Sequence, residues 1–109
     1  MIRGGMVEVP VARVSVAIRY YVETLGVKLV DDRGESCAVL DLGQGALVAL
    51  VEKPRDSARA CIGLSVADVP RAVSLLENRG IVFRSEAHAG RATSAFSDPE
   101  GNTLYLFQG

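Results

Sequence analysis

The side chains that type and spacing single out for chemistry are Glu8, Cys61, His88, Arg91 and Tyr105. Glu8 follows Met6 by two residues in a run of strand character, so both side chains take one face. A carboxylate on a half-apolar face can act as a general base or as a counter-charge for a cationic ligand. A register one residue different would put it in solvent instead. His88 is the single histidine, set in the polar stretch Glu86-Ala87-His88-Ala89-Gly90-Arg91, which reads as a loop between strands. There it could serve as acid or base or hydrogen-bond a ligand, although a lone loop histidine is more commonly just exposed. One histidine per chain excludes a His-based metal cluster within a protomer. Arg91 could pair with an anionic ligand, and a solvated loop arginine is its simpler reading. Cys61 would need a stabilised thiolate to act as a nucleophile. No histidine stands near it in sequence, so it is expected to be a small core residue of a strand.

The elements that must position these residues are written twice. VPVARVSVAI at 9–18 lies over LSVADVPRAV at 64–73, at an offset of 55 and with the apolar positions in register. Gly26 meets Gly80, Gly45 meets Gly101, and ALVAL at 46–50 lies over NTLYL at 102–106. A repeat of this length means two copies of one supersecondary unit.

Each copy opens with a strand, over 6–11 and 61–66, rich in β-branched or apolar residues. A helical stripe follows at Val14, Ala17, Ile18, Tyr21 and Leu25, matched by Val69, Ala72, Val73 and Leu76. Asp68 is a good N-cap and Pro70 falls in the tolerated first turn, whereas Arg13 is a poor cap and predicts a helix that starts late, at Ser15. Gly26 and Gly80 stop the two helices. Three more strands are expected in each copy: 28–31, 36–42 and 46–51, then 82–85, 93–97 and 103–107. On the last of these, Tyr105 and Phe107 share a face. The polar stretch 52–59 joins the copies. The expected organisation is one domain, 1–109, made of two βαβββ modules at 1–52 and 60–109.

Composition narrows the function. With 49% apolar and 23% charged residues, the chain has the balance of an ordinary globular protein. A formal charge of −1 gives no electrostatic case for a nucleic-acid or membrane partner. Three tyrosines, three phenylalanines and no tryptophan leave little for a base-stacking platform. The longest apolar run, 46–51, is far short of the ~20 residues of a spanning helix. The opening MIRGGMVEVP has no apolar h-region, so no secretory leader is expected. Cys37 and Cys61 form no CxxC pair, and the expected location is the cytoplasm, with both thiols reduced.

Paired βαβββ units, with VPVARVSVAIRYYVETLG opening the first and SDPEGNTLYLF closing the second, resemble the vicinal oxygen chelate superfamily. That superfamily includes glyoxalase I, extradiol dioxygenases, fosfomycin-resistance enzymes and bleomycin-resistance proteins. The resemblance covers about residues 6–107 and rests on the order of elements together with the repeat. It implies an α+β fold in which each unit curls a mixed sheet into a half-open cup. Two cups face each other, within a chain or across a dimer.

In the metal-dependent members, His, Gln or Glu ligands from the first and fourth strands of the two units hold a divalent cation, and a substrate's neighbouring oxygens complete the site. The family's spacing and the internal repeat place Met6, Ala49, Cys61 and Tyr105 at those four positions. None is a usual ligand for a hard cation. The resemblance therefore implies a member without the metal site and without a cofactor.

These readings converge on small-molecule binding in a cup lined by Met6, Glu8, Ala49, Cys61, His88, Arg91, Tyr105 and Phe107. The expected ligand is aromatic or amphipathic, since rings stack without needing charge. The bleomycin-resistance type, which sequesters a drug or antibiotic without chemistry, is the nearest model. The alternative is a metal-independent isomerase, epimerase or lyase using Glu8, His88 or Tyr105 for proton transfer. The four missing ligands argue against a metal-dependent glyoxalase or dioxygenase. A homodimer is expected, because half-open sheets leave apolar edges to cover.

Overall fold

A computed structural model describes residues 1–34, 36–54 and 57–109. In chain order the first module holds β1 (Gly5–Val11), α1 (Val14–Arg19), a π-helical turn (Tyr20–Thr24), β2 (Lys28–Asp32), β3 (Cys37–Gly43) and β4 (Ala46–Glu52). The second holds β5 (Cys61–Val66), α2 (Val69–Glu77), β6 (Arg84–His88), β7 (Arg91–Ser97) and β8 (Thr103–Gln108). The modules are two compact units, Met1–Ala60 and Cys61–Gly109. The expected polar connection, 52–59, falls partly outside the described residues.

Both sheets have four strands and one topology, β1-β4-β3-β2 and β5-β8-β7-β6. The last strand of each module inserts between the first and the third, parallel to the first and antiparallel to the third. The repeat read from the sequence is thus a repeat of architecture: Ala49 stands opposite Glu8 and Val39, and its counterpart Tyr105 stands opposite Gly63 and Ala95.

Alternation along the strands divides each sheet into a helix-covered face and an open one. In the first module Val9, Val11, Val48, Leu50, Ala38 and Leu40 are buried with Val14, Ala17 and Tyr21. In the second, Ile62, Leu104, Leu106 and Phe96 are buried with Leu76 and Ile81. Phe83 meets Phe96 edge to face at 5.2 Å between centroids.

The two helices start alike despite unlike caps. Arg13 and Asp68 are both extended, and their carbonyls accept from Ala17 N–H at 3.1 Å and Ala72 N–H at 3.0 Å. Only Asp68 adds a side-chain cap, accepting from Arg71 N–H at 3.1 Å. Helix α1 nevertheless begins at Val14 rather than Ser15, because the Arg13 carbonyl closes its first turn without help. Its wide last turn, with Leu25 N–H donating to the Tyr20 carbonyl at 3.1 Å, leaves Tyr21 in the core. Gly26 and Gly80 then leave the helices at φ +75° and +92°, a backbone conformation that favours glycine.

One expected strand is displaced. The apolar pair Val82-Phe83 suggests a strand over 82–85, but β6 is Arg84–His88, and Val82 is 83% exposed. Pairing decides the matter: Arg84 is the first residue to find a partner, Ala95, and the ladder runs on to His88 opposite Arg91. His88 and Arg91 therefore lie on strands flanking a tight turn at Ala89-Gly90, not in a loop. No helix among the described residues is long and apolar enough to cross a membrane.

Candidate functional site

The open face of the second sheet carries Cys61 and Gly63 from β5, Thr103, Tyr105 and Phe107 from β8, and Ser97, Ala95 and Thr93 from β7. From β6 it carries Arg84, Glu86 and His88. β5 and β6 are the two edge strands. In a flat sheet three spacings of roughly 4.8 Å would hold them about 14 Å apart. Yet Cys61 Sγ lies 3.6 Å from His88 Nδ1, nearer than those two side chains could reach across a flat sheet. The sheet is curled into a cup, and this contact spans it.

Inside the cup the His88 imidazole lies on the Tyr105 ring, with centroids 4.5 Å apart and planes 3° from parallel. Tyr105 in turn lies over Gly63, whose missing side chain makes the room. Phe107 continues the aromatic surface at 6.3 Å from Tyr105 and is 42% exposed. Three rings thus form one ledge on a wall that strand pairing holds rigid.

A polar relay runs beside the ledge. His88 Nε2 is 2.8 Å from Glu86 Oε1, and Arg84 Nε donates to Glu86 Oε2. The remaining Arg84 nitrogens donate to Ser97 Oγ at 3.0 Å and Thr103 Oγ1 at 3.3 Å. Hydrogen bonds from Arg84 and then from His88 hold the Glu86 carboxyl below its ordinary value. An ionised carboxylate only accepts, so the hydrogen of a neutral His88 sits on Nε2, and Nδ1 turns a free lone pair to the Cys61 thiol.

The structure gathers Cys61, His88, Tyr105 and Phe107 into one site. Arg91, opposite His88 in the hairpin, lines an open groove of about 330 Å³ with Phe107, Thr93 and Gln108. Most of the groove's lining, Val69, Ser85, Ser94, Leu106 and Gln108, belongs to the helix-covered side of the sheet, and neither Tyr105 nor His88 lines it. Met6, Glu8 and Ala49 belong to the first module, where Met6 and Glu8 are exposed and Ala49 is buried. Cys61 is exposed, not the small core residue that its strand context suggests. Sequence reasoning missed Glu86 and Arg84. Their signal is the alternation Arg84, Glu86, His88, which puts three polar groups on one face of a strand.

A divalent cation of the kind the metal-dependent members hold does not suit the residues at the four family positions. Ala49 has no donor atom, Met6 offers a thioether, the Cys61 thiol is turned to His88, and the Tyr105 phenol lies over Gly63. Among the described residues no three His, Cys, Asp or Glu side chains come together to hold a metal. The two nitrogens of His88 point opposite ways, so Cys61 and Glu86 cannot share one ion with it.

Paired βαβββ modules with mixed, cupped sheets define the class of fold. The chain belongs to the glyoxalase/bleomycin resistance protein/dioxygenase superfamily, whose family model matches residues 4–106. Among solved structures it is similar to TnmS3, described as an antibiotic binding protein, from Streptomyces sp. CB03234. That match has 25% identity over 99% of this chain and 96% of that one, with a TM-score of 0.81. A superfamily member from Sphaerobacter thermophilus DSM 20745 matches at 24% identity over 100% and 98% of the two chains, with a TM-score of 0.78. Lactoylglutathione lyase from Agrobacterium tumefaciens matches at 13% identity over 95% and 91%, with a TM-score of 0.79. The last two speak for the fold alone. No curated protein matches the sequence.

Proposed function

We propose that this chain is a metal-independent small-molecule binding protein that takes a flat aromatic or amphipathic compound, such as an antibiotic, onto the ledge of the second cup. The observation that carries this reading is the His88–Tyr105 stack over Gly63, extended by Phe107. Such a surface offers ring area at low entropic cost and asks no charge of its ligand. The likeness to an antibiotic binding protein supports sequestration rather than turnover. The partner is a second copy of the chain, because β1 and β5 are edge strands of their sheets and Met6, Val7 and Phe107 are exposed apolar residues.

Isothermal titration calorimetry with a panel of planar aromatic antibiotics is expected to show binding, and Tyr105→Ala to weaken it about tenfold. Equal affinity in wild type and Tyr105→Ala would overturn the ledge. One tightly held metal per purified chain would overturn metal independence.

A second reading is favoured by one specific observation, the Glu86 carboxylate that fixes the His88 ring. A metal-independent isomerase, epimerase or lyase would use such a histidine for proton transfer, with Glu8 and Tyr105 as further candidates. His88→Ala separates the two readings. Sequestration tolerates it with a modest loss of affinity, whereas proton-transfer catalysis falls by about two orders of magnitude or more.

A further inference from the structure

We infer that Cys61 is a base-activated nucleophile and that the second cup adds its thiol to conjugated carbonyl compounds. Three features that a reactive cysteine requires meet here. Cys61 is exposed, so a reactant can reach it. His88 Nδ1 is the nearest base, at 3.6 Å, and its lone pair faces the sulfur. Glu86 holds the opposite nitrogen at 2.8 Å and so keeps the ring in that tautomer, while Arg84 anchors Glu86. This is nucleophile, base and orienting carboxylate in sequence, the logic of an activated thiol.

Acyl transfer needs a preorganised set of donors aimed at a developing oxyanion in addition to the nucleophile and base. Conjugate addition makes no such demand. His88 Nδ1 takes the proton as the sulfur attacks the β-carbon; the S–C bond forms while the C=C π pair moves toward the carbonyl. The imidazolium then returns the proton to the α-carbon. The net change is addition of S–H across C=C, with no oxidant, reductant or third reactant. The hydroxyls of Thr103, the register partner of Cys61, and of Tyr105 stand on the same face. Reactivity of this kind goes beyond ligand sequestration and does not depend on it, since the probe chosen below needs no aromatic ledge.

The test is the rate of N-ethylmaleimide addition at neutral pH, resolved by peptide mass spectrometry into Cys61 and Cys37, with N-acetylcysteine as the free-thiol reference. Cys61 is expected to react about tenfold or more faster than the reference, and His88→Ala to remove that advantage. Added imidazole is expected to restore part of the rate in His88→Ala, a rescue that a merely structural role would not give. An unchanged far-ultraviolet circular dichroism spectrum and thermal midpoint show that the variant is folded, and Cys37, in the other module, is the internal control for reagent concentration. A Cys61 rate equal to that of N-acetylcysteine, or one indifferent to His88→Ala, overturns the proposal and leaves aromatic binding standing. Loss of antibiotic binding with fast maleimide addition would do the reverse.

Discussion

The Tyr105 ring fills the space that a β-carbon on Gly63 would occupy: such a carbon would lie 2.7 Å from both Cζ and the phenol oxygen. The two residues are register partners on the parallel strands β5 and β8. The ledge therefore depends on a glycine as much as on its rings. Gly63→Ala meets the far end of a side chain rather than backbone, so the ring can swing aside. Urea denaturation is expected to show a cost of only about 1 kcal/mol, at the low end for overpacking. Displacing the ring breaks the stack with His88, and affinity for a flat ligand is expected to fall about three- to tenfold. A stability loss of several kcal/mol would instead show that the ring cannot move.

The turn that feeds Tyr105 into the ledge is held by two buried polar residues. Asp98 Oδ1 accepts from the backbone N–H groups of Glu100 and Asn102, both at 2.9 Å, and Asp98 Oδ2 accepts from Asn102 Nδ2 at 2.9 Å. Asn102 is wholly buried and Asp98 4% exposed. Asp98→Ala strands three donors at once and is expected to cost about 2–4 kcal/mol. The double variant with Asn102→Ala should lose less than the sum of the single losses, because the two share a hydrogen bond. Additivity in that cycle would deny the coupling.

Much of the fold was legible because the repeat doubles each local signal. Strand β5 falls on 61–66 as expected, and the buried stripe Val14, Ala17, Tyr21 follows the helical period. The site was less legible, for two physical reasons. Strand β6, Arg-Ser-Glu-Ala-His, has weak strand propensity and exists because β7 pairs with it; strand preference is largely a matter of such context. His88 therefore read as a loop residue. Cys61 and His88 are 27 residues apart, on opposite edges of the sheet, and only its curl brings them together. Curl is a tertiary property that no single window of sequence carries.

Glu86 gives the cup a pH signature. Arg84 and His88 depress its folded-state value below the ordinary 4.5. A depressed carboxylate contributes stability that is present above the unfolded value and is lost as pH falls toward the folded one. The groups facing it are Arg84 and His88, while Thr93 Oγ1 donates to its backbone carbonyl and not to its carboxylate. Wild type is therefore expected to exceed Glu86→Gln in denaturation midpoint at about pH 6, with the gap closing toward about pH 3. A gap that stays constant across that range would mean that the carboxylate's charge plays no part in holding the relay.

The internal symmetry also says where the chain is under-stabilised. Arg13 and Asp68 are repeat mates with nearly the same backbone, φ −136° and ψ 111° against φ −147° and ψ 104°. Each carbonyl starts its helix, but only Asp68 carries a side-chain oxygen to meet the N–H of the third helical residue. Helix α1 has no acidic residue in its first turn and no side-chain cap. Arg13→Asp grafts the second module's cap onto a backbone already shaped for it, and it exchanges a positive charge at the positive end of a helix for a negative one. Both changes act in the same direction, by about 0.5–1 kcal/mol for the cap and a few tenths for the dipole. The expected outcome is a higher thermal midpoint, with the maleimide rate of Cys61 unchanged because Arg13 lies in the other module. Arg13→Ser caps without adding a negative charge, and Arg13→Ala, which removes the same positive charge without a cap, is the control that separates the two contributions. If Arg13→Asp stabilises and Arg13→Ser does not, the gain is electrostatic and the capping geometry is not shared between the repeats.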